Sequence, residues 1–389
     1  MLNENQIEKY IYKYVQRQDN FLMFVLSTTA ARILANNKVQ SINKMFTLKE
    51  AFKVSHDMNL INKEQEKLIQ EQLGALTTDL HAIALATYKD SAALYTIQPA
   101  FKSNNELVAE VEHAIEESRE KLRRIISKPV FVLNGKRYAP DEAYRLTTQD
   151  AILNKQVSGK WTSMRNAINR LYNAPYRFVN NDSSDDMERD TSATNTLRMS
   201  VLNSIKDMFN KVNDVIKKQT KGDGVELSAH VCPAPDHAPA QGHQFSLAEF
   251  EKMQSGQDFV DVNGNHYSGF PRQIGQWNCR HYTKPIKIGK SVPEHTQKEL
   301  DKILADNQRG YTTSDGKHYT LYECTQIQRK YERDIREAKE HYVIAKNMDD
   351  DVKMREYKGK ATTLTRQYKA FSNVCDLPAK LERLKVKDY

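Results

Sequence analysis

Ser228-Ala229-His230-Val231-Cys232-Pro233-Ala234-Pro235-Asp236-His237-Ala238-Pro239-Ala240-Gln241-Gly242, followed further on by Asn278-Cys279-Arg280-His281, is the stretch that decides how this chain is built. Proline fixes φ and lacks a backbone donor, and glycine opens positive φ. Pro233, Pro235, Pro239, Gly242, Gly256, Gly264, Gly269, Pro271 and Gly275 therefore exclude a long helix and leave loops and short strands over residues 223–290. Six of the 11 histidines and two of the 4 cysteines fall between His230 and His295. A loop-rich segment with little apolar content needs a staple, and these are the side chains that supply one.

On either side the pattern is helical. Apolar residues recur at three- and four-residue spacing over Glu64 to Tyr88 and over Asn105 to Ile126, where Leu107, Val111, Ala114, Ile115, Leu122 and Ile126 share a face. Leu197, Val201, Ile205, Met208, Val212 and Val215 trace another such stripe, which reads as core or a seam against a neighbouring helix. Cys324, Ile327, Tyr331, Ile335, Ala338 and Tyr342, then Met354, Tyr357, Ala361, Leu364, Tyr368 and Phe371, predict a helical hairpin turning at Asn347 to Asp351. Asn180 to Asp186 is a polar break expected in a loop.

Val130-Phe131-Val132-Leu133, Asn134-Gly135 and Lys136-Arg137-Tyr138 predict a β-hairpin, because a type I′ turn needs φ > 0 twice. The same device is expected at Asn263-Gly264 and at Asp315-Gly316. The fold class that follows is mainly α with a small α+β module: long amphipathic helices flank a loop-rich core that contains the histidines and cysteines. Four regions are expected. They are an N-terminal helical region at 1–128, a hairpin plus helices at 129–222, the core module at 223–322, and a helical hairpin with a basic tail at 323–389.

With 389 residues, 39% of them hydrophobic and 28% charged, the chain suits long water-facing helices around modest cores. The net charge of +8 favours polyanionic surroundings. Its sharpest local expression is the Lys380 to Lys387 tail, read either as solvated or as a contact to DNA or an acidic partner. Four scattered cysteines suit a reducing compartment. The first residues lack a basic-then-apolar leader, and no apolar run approaches the ~20 residues that span a bilayer, so cytoplasmic assembly away from membranes is expected.

Cys279 and His281 lie two apart and share a side of an extended strand. With His230 and His237, and with Cys232 as a further candidate, they offer a mixed sulfur and nitrogen set suited to a structural zinc. The alternative is a set of side chains that hydrogen-bond loop backbone. The spacing matches no zinc finger. No phosphate loop, dinucleotide fingerprint or nucleophile elbow occurs, and no catalytic residues are assigned.

Taken together, Ser228-Ala229-His230, the proline stretch Val231 to Pro235, His237-Ala238, Gln241-Gly242 and Asn278-Cys279-Arg280-His281 resemble the tailed-phage minor capsid proteins of the minor capsid protein 2 type. Tyr319 to Glu323, Thr325-Gln326, Gln328-Arg329, Glu332-Arg333, Ile335-Arg336 and Leu381-Glu382-Arg383 extend the resemblance downstream, and Arg198 to Val201 with Val225 to Leu227 extend it upstream. Two departures stand out: Ala240 occupies a position where the family carries Trp, and Cys232 one where it carries a small residue.

The resemblance implies a structural virion component of the phage head, assembled in the host cytoplasm. It would associate with the portal protein and other head proteins, and act in head morphogenesis or in packaging and ejection of double-stranded DNA. The competing class is a metal-dependent nuclease or a toxin-like effector carried in the head.

Overall fold

The computed structural model describes residues 4–37, 48–93, 104–158, 161–178, 193–275, 279 and 281–387. The expected loop at Asn180 to Asp186, and Asn278 and Arg280 of the motif, lie outside the described residues.

Two long helices, α1 (Glu4–Asn37) and α2 (Leu48–Ala93), form the spine. The second starts well before the expected Glu64. Val54, Met58 and Ile61 continue its apolar stripe, and Val54 and Ile61 are buried. Ile7, Ile11, Tyr14 and Val15 of α1 pack with Leu73, Leu76, Leu80 and Ile83 of α2, with α3 (Asn105–Ile126), and with α6 (Ala193–Thr220), forming one core. The stripe Leu197, Val201, Ile205, Met208, Val212 and Val215 is buried throughout in this cluster.

The other halves of α1 and α2 enclose a second core around Phe21, Leu26, Ile33 and Ile61. Tyr144 of α4 (Pro140–Ser158) joins it, as do Ile168 and Leu171 of α5 (Trp161–Tyr172) and Val343 and Ile344 of α9 (Leu321–Asn347).

The predicted hairpin is β1 (Pro129–Leu133) with β2 (Lys136–Tyr138), and Asn134 and Gly135 both adopt positive φ. The sheet, however, is three-stranded. β3 (Tyr176–Phe178) pairs antiparallel on the other side of β1, with Phe131 opposite Tyr176. Its partner is remote in sequence, so no local signal marks it. At Asn263-Gly264 and Asp315-Gly316 only the glycine takes positive φ, so these hairpins are closed by wider loops and not by type I′ turns.

The module itself is built on a three-stranded antiparallel sheet, with β4 (Gly224–Leu227) between β5 (Gln244–Ser246) and β8 (Thr283–Ile286). Phe245, Met253 of α7 (Leu247–Gln254), Phe259 of β6 (Phe259–Val260), Phe270 and Cys279 fill a separate small core. β6 pairs with β7 (His266–Tyr267), and Tyr267 stacks on Phe259. After α8 (Gln297–Arg309), β9 (Tyr311–Thr312) and β10 (His318–Tyr319), a capping box at Thr320 and Glu323 starts α9.

The expected helical hairpin follows: α9 ends at Asn347, and Asp350 caps α10 (Asp351–Val374).

The C-terminal tail is not free. Leu384 is buried against Ile335 and Tyr368, and Tyr12 and Lys339 donate to the carbonyls of Glu382 and Leu384. Arg383 pairs with Glu8 and Glu332. Leu381–Leu384 thus straps α9 to the start of α1.

Candidate functional site

The register of the sheet assembles the histidine and cysteine cluster. β4 and β8 pair with Leu227 opposite Thr283, so their ends meet just beyond that pair. There Ser228 N donates to the Tyr282 carbonyl (3.0 Å), and Tyr282 N donates to Ser228 Oγ (3.1 Å). This lock sets His281 beside the chain leaving β4, and His230 comes to lie over it with ring centroids 4.3 Å apart. Gln241 Oε1 accepts from His230 N (2.8 Å) and fixes that chain.

Gly242, at φ +75, returns the loop into β5, and a Cβ there would lie 2.3 Å from the Leu300 side chain. The structure thus gives Ser228, Gln241 and Gly242 definite scaffolding roles, and Ala229 carries the chain between Ser228 and His230. Ala240 is fully buried in the module core.

His237 sits in the next loop. Asp236 forms a two-pronged ion pair with Arg272 (2.7 and 2.9 Å), and His237 Nε2 donates to the Arg272 carbonyl (2.7 Å). Its other nitrogen, Nδ1, lies 3.5 Å from Cys279 Sγ. The rings of His237 and His281 are 5.5 Å apart. His281 Nδ1 donates to the Ser228 carbonyl (2.8 Å). His230, His237, Cys279 and His281 are therefore brought together, and His237, Cys279 and His281 are buried.

Cys232 is not part of the group. It is half-buried, and the ionisable neighbours that affect its thiol are Lys380 and Cys324. Among the described residues no three His, Cys, Asp or Glu side chains already stand around a common point in a way that would hold a metal.

Burial governs the electrostatics. It pushes His230 down to about 4 and His281 well below the usual imidazole range, and neighbouring imidazoles reinforce both shifts. Both rings are neutral at physiological pH. Burial alone would raise the Cys279 thiol and lower His237, but their mutual hydrogen bond reverses both directions. The pair thus leans toward thiolate and imidazolium.

Lys206 of α6 is also buried. It donates to the Gly275 carbonyl (3.0 Å), and desolvation lowers its ammonium. Lys206 and the Asp236–Arg272 pair were not legible as partners of the cluster, since nothing local links them to it. A second constellation also escaped the sequence reading. Buried Asp261 accepts from Asn263 N, Asn265 N, Asn265 Nδ2 and Tyr267 Oη, and pairs with His243 Nδ1 (2.9 Å). The Asp-x-Asn-Gly-Asn run was its available signal, as an Asx turn.

α6 carries the module. Asn213 Nδ2 donates to the Thr283 carbonyl (2.6 Å) and Asn213 Oδ1 accepts from Ser91 of α2 (2.9 Å), while Phe209 packs on Tyr282 at 4.9 Å. A cavity of about 240 Å³ runs along this seam, lined among others by Lys206, Asn210, Phe250 and His281.

The outer helix α10 presents a different surface. Arg355, Lys358, Thr362, Arg366 and Lys369 are exposed and recur at three- and four-residue spacing, hence on one face. The stripe is ~21 Å long at 1.5 Å per residue. Asp351 and Glu356 are the exposed acids on this helix, and Glu356 is paired with Lys353. No helix among the described residues is long and apolar enough to cross a membrane.

The model of one protein family, described as phage minor capsid protein 2, matches residues 47–373, which takes in the cluster, α6 and nearly all of α10. No curated protein and no solved structure matches the chain.

Proposed function

The chain belongs to the phage minor capsid protein 2 family, and from that premise we propose that this structural phage protein works at the portal vertex. In this reading it sits inside the head against the portal protein, takes part in head morphogenesis, and faces the packaged DNA during packaging or ejection. The observation that carries the reading is the family match across residues 47–373. The α10 stripe supports the DNA-facing part, because exposed Arg355, Lys358, Arg366 and Lys369 can neutralise successive phosphates. The Lys380–Lys387 tail is the weaker candidate, since Arg383 is spent on Glu8 and Glu332, although Lys385 and Lys387 remain exposed. The role is structural, and the burial of Cys279 and His237 suits holding the chain together more than attacking a substrate.

Two measurements test this. Mass spectrometry should find the protein in purified virions and lose it from heads assembled without portal; its absence from virions would overturn the structural reading. Binding to a short DNA duplex should weaken steeply with salt. Changing Arg355, Lys358, Arg366 and Lys369 together to Gln should flatten the log–log salt slope by roughly 3–4, at ~0.9 per phosphate contact. An unchanged slope would remove α10 as the DNA contact and leave portal docking as the role of that face. Metal-dependent cutting of plasmid DNA that is lost with His281→Ala would favour the nuclease alternative.

A further inference from the structure

We propose that Cys324 and Cys375 are a reversible redox pair: on oxidation their sulfurs join in a disulfide that staples the open end of the α9–α10 hairpin.

The register of the hairpin carries the argument. Buried polar contacts between the two antiparallel helices fix which residues face each other. Tyr368 Oη donates to Glu332 Oε1 (2.9 Å), and one turn further along Gln328 Nε2 donates to Ser372 Oγ (2.8 Å). Residues three and four apart on a helix share a face. The next turn toward the start of α9 therefore brings Cys324, and the next turn toward the end of α10 brings Cys375. Both side chains are buried, at 0% and 2% exposure. Each thiol is the side-chain hydrogen-bond partner of the other. Helical period and antiparallel packing thus set two sulfurs face to face from opposite ends of the hairpin sequence.

The remaining cysteines are placed differently. Cys279 faces His237 in the module (3.5 Å). Cys232 is half-buried in the 231–242 loop and is an ionisable neighbour of Cys324. It is the competitor that the test has to separate.

Forming the bond removes two electrons and two protons from the two thiols, so the step needs an oxidant. A low-molecular-weight disulfide such as oxidised glutathione supplies it. One cysteine loses its proton to solvent, and its thiolate attacks a glutathione sulfur. The glutathione S–S bond breaks, and one glutathione leaves as thiolate. The second cysteine, deprotonated in turn, attacks the protein sulfur of the mixed disulfide and expels the other glutathione. The two departing thiolates take up the two protons. Burial raises both protein thiols above their ordinary range, Cys375 to about 12. Thiolate is therefore scarce while the hairpin is closed, and the pair stays reduced in a reducing compartment. Both residues sit at helix ends, Cys324 in the first turn of α9 and Cys375 as the C-cap of α10. Helix ends open locally at far less cost than the whole fold, so oxidation proceeds from the frayed end. The sulfurs must then close to ~2.05 Å, and Cys375, just past the last helical residue, has the freer backbone with which to do so.

The link closes a loop of about 50 residues and so restricts the unfolded chain. It also pins α10, with its basic stripe, to α9. Neither consequence depends on which partner that stripe meets.

The test uses the full-length chain, purified reduced and then incubated folded with excess oxidised glutathione. Acid quenching, alkylation and a non-reducing peptide map should show Cys324 joined to Cys375 as the main link. The intact chain should be lighter by two hydrogens, and free thiols should fall from four to two. Dithiothreitol should reverse both changes. The oxidised chain should melt ~3–8 °C above the reduced one, and Cys375→Ser should abolish the link and the gain together. Cys232→Ser should leave both unchanged. The wild-type peptide map stands by itself if Cys375→Ser folds poorly. A main link from Cys324 to Cys232, glutathione adducts without a cross-link, no link after prolonged oxidation of the folded chain, or an oxidised form melting no higher than the reduced one would overturn the proposal.

Discussion

Replacing Glu340 by Gln should stabilise the protein above neutrality and do nothing in mild acid. Glu340 lies on α9, where Tyr172 donates to its Oε2 (2.9 Å). Burial, and secondarily the nearby Asp19 carboxylate, push its carboxyl up to about 7 from an ordinary value of 4.5, against the opposing pull of Arg336. The folded protein therefore holds this proton more tightly than the unfolded chain does. Below pH ~4.5 both states are protonated and Glu340 carries no penalty. Between ~4.5 and ~7 the folded state keeps a proton that the unfolded state has lost, so stability falls as pH rises. Above ~7 both states are ionised and the penalty is complete.

At ~1.4 kcal/mol per unit, a shift of this size amounts to roughly 3 kcal/mol. A Gln side chain can still accept from Tyr172 and never ionises, and it leaves Arg336 paired with Asp19 at 2.7 Å. Urea denaturation followed by helical circular dichroism should give stabilities for variant and wild type that agree to within about 0.5 kcal/mol at pH 4.5. The gap should open between pH 5 and 7 and reach roughly 2–3 kcal/mol in favour of the variant at pH 8. Parallel pH profiles, or a variant less stable at pH 8, would refute the claim that this carboxyl ionises at a cost.

Glu8 should behave in the opposite way. Burial would raise its carboxyl, but Arg198, Arg383 and Arg329 together hold it low. Glu8→Gln leaves those guanidiniums facing one another and should cost ~3–5 kcal/mol near neutrality, with hydrogen exchange speeding up first in the strap at Leu381–Leu384. Tyr368→Phe removes a hydroxyl that donates to Glu332 (2.9 Å) and accepts from Lys380 N (2.8 Å). It should cost ~1–3 kcal/mol in denaturant melts for the buried groups left unpaired, and a loss under ~0.5 kcal/mol would contradict the geometry.

The sequence by itself determined the elements whose cause is local. Leu197 to Val215 spells a helical face residue by residue, and that face is the one buried in α6. The break at Asn347 to Asp351 placed the α9–α10 turn, and Asn134-Gly135 placed a type I′ hairpin, because backbone periodicity and positive φ are properties of neighbouring residues. The order and spacing of Ser228-Ala229-His230, Gln241-Gly242 and Cys279 to His281 also carried the family, which the match over 47–373 shows.

Tertiary structure alone decided the rest. β3 has no signal of its own and exists because β1 offers an open edge. The three histidines and Cys279 meet because β4 pairs with β8 in one register, and a slip of one residue would turn His281 to the other face. Lys206 reaches the module, and the basic tail becomes a strap on Glu8, through packing between segments far apart in the chain. Long-range pairings of this kind are selected by the summed burial of whole faces, which no short window of sequence contains.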